Sequence, residues 1–255
     1  MTAAKTFKYY FLIVIICSTT TISHANNVKT SIEGSQRCIS SNGIPDHSID
    51  NFPNAGNPHR IAEQNIRYCF PLNPVKKSKP SIQHDSIGVA LNGIMIRPGT
   101  ADYWDPFSSR GFSHNRNSGW NLEGLGSREQ LGIDHNNAHV DNTGLYHYHG
   151  VASALVKSTT QQGSLIGYTA DGFEIHYVES QNSSYQLKQG VRPSGPGGRY
   201  DGSYNQDWQY IAGVSSLDEC NGGELNGRFV YFATDNYPFF PRCLWGNISA
   251  DFGLK

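Results

Sequence analysis

Three histidines lie close together in the stretch NNAHVDNTGLYHYHG, at His139, His147 and His149, in a chain that holds only ten. Three neutral imidazoles with a position left open suit zinc or copper, and added carboxylates widen the choice of ion. Without a metal, crowded imidazoles resist joint protonation, and one of them can act as a base near neutral pH. The plainer alternative is a half-buried strand filled by His and Tyr side chains.

Which chemistry applies depends on the backbone. Asp141-Asn142-Thr143-Gly144 is turn-forming, because Asp and Asn favour turns and Gly tolerates positive φ. A three-residue loop Asn142-Thr143-Gly144 pairs Asp141 with Leu145, so His139 faces His147 and Asn137 faces His149. Side chains alternate along a strand, which puts the three histidines on one face and Tyr146 and Tyr148 on the other. Opposed Cβ atoms are about 5 Å apart, so the imidazoles can converge on one ion. A two-residue loop would move His139 to the opposite face. Asn137 and Asp141 are candidate further ligands, and so are Asp134 and His135. The tyrosines are candidates to orient an imidazole or a bound water.

Other chemical signals are weaker. His176 follows a DGFE turn and reads as a strand histidine, and His47 in GIPDH reads as loop structure. DECNGG from Asp218 lacks the periodic oxygen donors of a calcium loop. GxSxG, HExxH and GxGxxG are all missing, so familiar hydrolase and nucleotide chemistries find no support.

The N-terminus sets the compartment. Lys5 and Lys8 precede the apolar run YYFLIVIIC and a polar stretch ending Ser-His-Ala, the order of a secretory signal over residues 1–25. The apolar run is too short to span a bilayer. With 20 basic and 21 acidic residues in all, and two lysines but no acid before residue 26, the rest carries net −3. That balance does not favour nucleic acid or an anionic membrane. Four cysteines follow the signal: Cys38, Cys69, Cys220 and Cys243. They permit three pairings, and proximity favours Cys38–Cys69 with Cys220–Cys243. CxxC is missing, which argues against a thiolate zinc site.

Gly, Asn, Ser and Pro interrupt the chain throughout, and short β-favouring runs stand between them. The expectation is a mainly β fold, antiparallel sheets or a sandwich, with long loops and few short helices. Residues 26–80 are poorer in strand signals and read as an N-terminal arm or cover, with residues 81–255 as the main domain. An internal echo runs through that domain. IGVALNGIMI from Ile87 resembles IGYTADGFEI from Ile166, and TGLYHYHG is echoed by NGRFVYFA from Asn226. Two related β units about a pseudo-twofold would explain both, with His147 falling on Val230 and His149 on Phe232.

The chain resembles the YHYH-domain family across nearly all of the mature sequence. The shared motifs include NGIPDH, FPNAGNP, GVALNG, NNAHV with GLYHYHG, LIGYTADGF, GGRYDG, LDECNGG and TDNYPFFPRC. The resemblance implies an exported protein with a role for its histidines, and it names no reaction. Asn137, His139, His147 and His149 fit the family motif. His135 and His176 are local variations on it, and Gln is common where Asp141 stands. Some members have a second YHYH-like segment; here it is FVYF, Phe229 to Phe232. The leading reading is an exported protein that binds copper or zinc through the histidine cluster. The alternatives are a metal-free module for glycans or another extracellular ligand, using Trp104, Trp120, Trp208 and Trp245, or a metal-dependent hydrolase or oxidase with a histidine or Asp134 as base.

Overall fold

The computed structural model describes residues 26–83, 86–156 and 164–253; the expected signal segment lies outside them. In chain order, β1 (Val28–Glu33), β2 (Gln36–Ser41) and β3 (Ile66–Pro71) are followed by the short β4 (Ser81–Ile82). Next come β5 (Gly88–Ala90), β6 (Met95–Ile96), β7 (Tyr103–Trp104), β8 (Phe112–Ser113), β9 (Ala138–Val140) and β10 (Tyr146–Tyr148). The rest comprises β11 (Ser164–Thr169), β12 (Glu174–Tyr177), β13 (Tyr185–Leu187), β14 (Trp208–Tyr210), β15 (Gly222–Leu225), β16 (Arg228–Ala233) and β17 (Cys243–Leu244). The short α-helices α1 (Arg128–Leu131) and α2 (Ser153–Val156) complete a mainly β chain, as the sequence predicts.

Eight strands form one sheet in the order β15-β16-β12-β11-β5-β6-β10-β9, and the order is a palindrome of two four-stranded units. In each unit a first hairpin lies parallel to the inner strand of a second: Ile96 pairs with Tyr148, and Ile175 with Tyr231. The sheet is therefore mixed, where the sequence suggested antiparallel pairing alone. Long connections carry the chain from β6 to β9 and from β12 to β15, which is what a parallel neighbour requires.

The units meet at β5 and β11, where Val89 pairs with Tyr168. Around this point the hydrogen bonds are reciprocal: Leu91 N donates to Ile166 O (2.9 Å) and Ala170 N to Ile87 O (2.7 Å). The same twofold relates the turn glycines Gly93 and Gly172, both with positive φ. It also relates Asn137 to Asn221, both left-handed, and their turns, in which Asp134 Oδ1 and Asp218 Oδ1 accept from following amides. In one unit Asn92 donates to the Tyr148 hydroxyl (3.0 Å); in the other the Tyr231 hydroxyl donates to Asp171 (2.9 Å). The repeat seen faintly in the sequence is thus present in topology, register and side-chain contacts.

The N-terminal segment forms its own antiparallel sheet, β1-β2-β3, which sequence patterning missed. Its strands are amphipathic and largely polar outside, with Ile39, Tyr68 and Phe70 buried inside. The disulfide Cys38–Cys69 joins directly paired residues of β2 and β3. This sheet packs over the junction of the two units, with Phe70 stacked on Tyr168 (5.4 Å) and the Arg37 guanidinium above the same ring (4.5 Å). The second disulfide, Cys220–Cys243, ties the turn before β15 to β17. Both pairings agree with the spacing argument. No helix among the described residues is long and apolar enough to cross a membrane.

Gly88 and Gly167 occupy equivalent places beside the pseudo-twofold. A Cβ at Gly88 would lie 2.4 Å from Tyr168 O, and one at Gly167 would lie 2.5 Å from Val89 O. Both obstacles are paired backbone, which cannot yield without opening the central ladder. Gly88→Ala and Gly167→Ala should each destabilise the fold by roughly 1–3 kcal/mol. Urea denaturation of the two variants checks this, and the twofold requires similar losses.

Candidate metal centre

The hairpin β9–β10 takes the three-residue loop. Gly144 N donates to Asp141 O and Asp141 N to Leu145 O, both at 3.0 Å, with Gly144 at φ 86°. Asp141 Oδ1 accepts from the amides of Thr143 (2.9 Å) and Leu145 (3.1 Å), which fixes the loop. His139 therefore pairs with His147, and His149 N donates to Asn137 O (2.7 Å), in the expected register. The three rings meet with centroids 4.6–5.0 Å apart. One nitrogen from each lies within 4.8 Å of the other two.

Each imidazole is held from behind by a main-chain carbonyl. His139 Nδ1 bonds Leu131 O (2.9 Å), His147 Nδ1 bonds Leu145 O (3.1 Å), and His149 Nδ1 bonds Pro98 O (3.3 Å). A carbonyl only accepts, so in each ring the proton belongs on Nδ1 and Nε2 carries a lone pair, which in His147 lies within reach of Arg97 Nη2 (3.1 Å). The Leu131 carbonyl is available because Leu131 ends α1, where helical acceptors lose their partners. The lone pairs of His147 Nε2 and His149 Nε2 thus face each other at 3.2 Å with no proton between them. A backbone-oriented imidazole presenting its other nitrogen is the usual form of a metal-ligating histidine.

Burial reinforces this protonation state. His147 and His149 are almost fully buried and His139 partly so. Burial, opposed only weakly by the Leu131 carbonyl, pulls His139 down to about 4. Burial first, then Arg97 and the neighbouring imidazoles, holds His147 well below its ordinary range. His149 is lowered by burial, then by His139 and Arg97. Neutral imidazoles are the form that binds metal.

Two further residues shape the site. Arg97 Nη2 lies 3.1 Å from both nitrogens of His147 and 2.9 Å from Asp141 Oδ2. Gly124 lies flat against His149, where a Cβ would stand 2.5 Å from Nδ1. Its neighbour Glu123 is buried and paired with Arg242 (3.0 Å). Sequence reading found neither Arg97 nor Gly124, since both reach the histidines from the long β6–β9 connection or its start.

The remaining sequence candidates are engaged elsewhere. Asn137 accepts from Arg128 and donates to Val151 O (2.7 Å), while the second oxygen of Asp141 goes to Arg97. Asp134 accepts from the Tyr146 hydroxyl (2.7 Å), behind the hairpin. His135 meets Asp50 (2.6 Å), His176 meets Glu174 (2.8 Å) in the second unit, and His47 meets the Tyr148 hydroxyl (2.6 Å). Among the tryptophans, Trp120 packs on Tyr204, Trp208 stacks on Tyr237, and Trp245 receives Lys76.

In the second unit the positions of His139, His147 and His149 fall on Gly223, Val230 and Phe232. Val230 and Phe232 pack with Leu217 in an apolar cluster, and Leu217 also closes over Gly223. One unit thus presents a cluster of nitrogen donors where the other presents hydrocarbon.

A family model described as YHYH protein matches residues 67–246 of the chain. No curated protein and no solved structure matches it.

In the metal-free protein at neutral pH, nitrogen-15 NMR should show all three histidines as neutral Nδ1–H tautomers. Their depressed folded-state values make the unfolded chain bind more protons below about 6.5, so the metal-free fold should weaken as pH falls from there toward 4. Thermal melts of the wild type and His139→Gln across that interval check the direction.

Proposed function

The chain belongs to the YHYH family, and from that premise we propose that it is an exported protein that binds one zinc or copper ion through Nε2 of His139, His147 and His149. The observation that carries this reading is the set of three Nδ1–carbonyl bonds, which leaves three converging lone pairs without a proton. Three converging imidazole nitrogens suit a single cation. Export is supported by the basic and apolar order of residues 1–25 together with two disulfides, which persist in oxidising compartments.

Three protein ligands leave a coordination position for water or an added ligand, the arrangement found in catalytic and ligand-binding zinc sites rather than closed structural ones. The residues' own contribution is to hold three neutral imidazoles at fixed separation and to exclude water from two of them. A base working at this centre would come from the cluster or from the medium, because Asp134 is turned to Tyr146 behind the hairpin.

Elemental analysis of the untagged protein after metal reconstitution should find about one zinc or copper per chain, with none retained by a His147→Ala/His149→Ala double variant. Failure of the wild type to hold either ion with micromolar or better affinity would refute the reading. Gly124→Ala, which pushes on the His149 ring without removing any of the three histidines, should weaken metal binding roughly 10–100-fold. Calorimetric titration measures that loss, and far-UV circular dichroism shows that the fold is kept.

A further inference from the structure

Comparing the two units separates what the fold needs from what the site needs. The positive-φ glycines, the left-handed asparagines, the turn aspartates and the inner-strand tyrosines occur in both. Where the histidines become Gly223, Val230 and Phe232, two more residues change with them. Arg97 falls on His176, and Asp141 falls on Leu225, the last residue of its strand and part of the apolar cluster. The Arg97–Asp141 pair therefore accompanies the histidines and is not part of the shared scaffold.

The pair is built unevenly. Asp141 is saturated: its oxygens accept from the Thr143 hydroxyl and amide, the Leu145 amide and Arg97. Arg97, in contrast, spends only Nη2 on Asp141 and the His147 ring, and its Nε and Nη1 have no protein partner among the described residues. The pair's side chains are each 17% exposed, so solvent reaches this side of the cluster. A guanidinium carries five N–H donors in a planar fork that matches a planar oxyanion.

Resting on the metal reading above, we propose that Arg97 makes this centre a receptor for a small planar oxyanion, a carboxylate or bicarbonate, held jointly by the ion's open position and the free guanidinium N–H groups. Asp141 fixes Arg97 beside the cluster and moderates its charge. Oxyanion affinity is then a property that Arg97 and Asp141 tune in opposite directions.

The test uses cobalt(II)-reconstituted protein titrated with acetate, bicarbonate and phosphate, with chloride at matched ionic strength as the control, read by visible absorption. Acetate or bicarbonate should change the cobalt bands saturably. Arg97→Met should weaken that binding roughly tenfold or more. Arg97→Lys should recover only part of it, and Asp141→Asn should tighten it. Equal acetate affinity in the wild type and Arg97→Met, no spectral response beyond that of chloride, or tighter binding of phosphate than of acetate would each overturn the proposal while leaving the metal site standing. Failure of the wild type to take up cobalt, zinc or copper would overturn both.

Discussion

The molecule depends on the close pairing of β5 with β11. Two glycines, Gly88 and Gly167, let the strands approach until a single added methyl on either would strike the opposite carbonyl. Reciprocal bonds from Leu91 and Ala170 close the ladder on either side. With this junction in place, two four-stranded units become one eight-stranded sheet. The N-terminal sheet then has an aromatic seat at Tyr168 and Phe70. Without it, each unit would present an open strand edge, which proteins ordinarily avoid exposing.

The histidine cluster draws on more than the sheet. Its three imidazoles come from one hairpin, yet the carbonyls that orient them come from Pro98, Leu131 and Leu145. Two of those carbonyls belong to the β6–β9 connection, which folds back over the hairpin and also brings Gly124 against His149. A hairpin alone would supply imidazoles free to rotate; the long connection gives them direction.

Much of this was legible in the sequence. The Asp-Asn-Thr-Gly turn fixed the loop length, and loop length fixed the face on which His139 stands. The disulfide pairing followed from spacing, and the repeat from two short echoes. What escaped was non-local. The strands β1 to β3 were hidden because their outward side chains are polar and their inward ones few, so hydrophobic alternation is faint. The parallel joins at β6–β10 and β12–β16 leave no local mark. Arg97 and Gly124 look like ordinary loop residues until the chain brings them beside the imidazoles. Asp141 carried the right chemistry for a ligand, but the structure gives its charge to an arginine.

One contact on the far side of the hairpin links parts of the molecule that otherwise look separate. His47, whose Nδ1–H is committed to Ser48 O (2.9 Å), accepts a hydrogen bond from the Tyr148 hydroxyl at Nε2 (2.6 Å), and Asn92 donates to the same oxygen. Tyr148 ends the three-residue strand β10, between His147 and His149 in sequence, with its side chain opposite theirs. The N-terminal segment and the histidine cluster thus bear on the two faces of one short strand. The N-terminal segment therefore braces, through His47, the back of the short strand whose front carries His147.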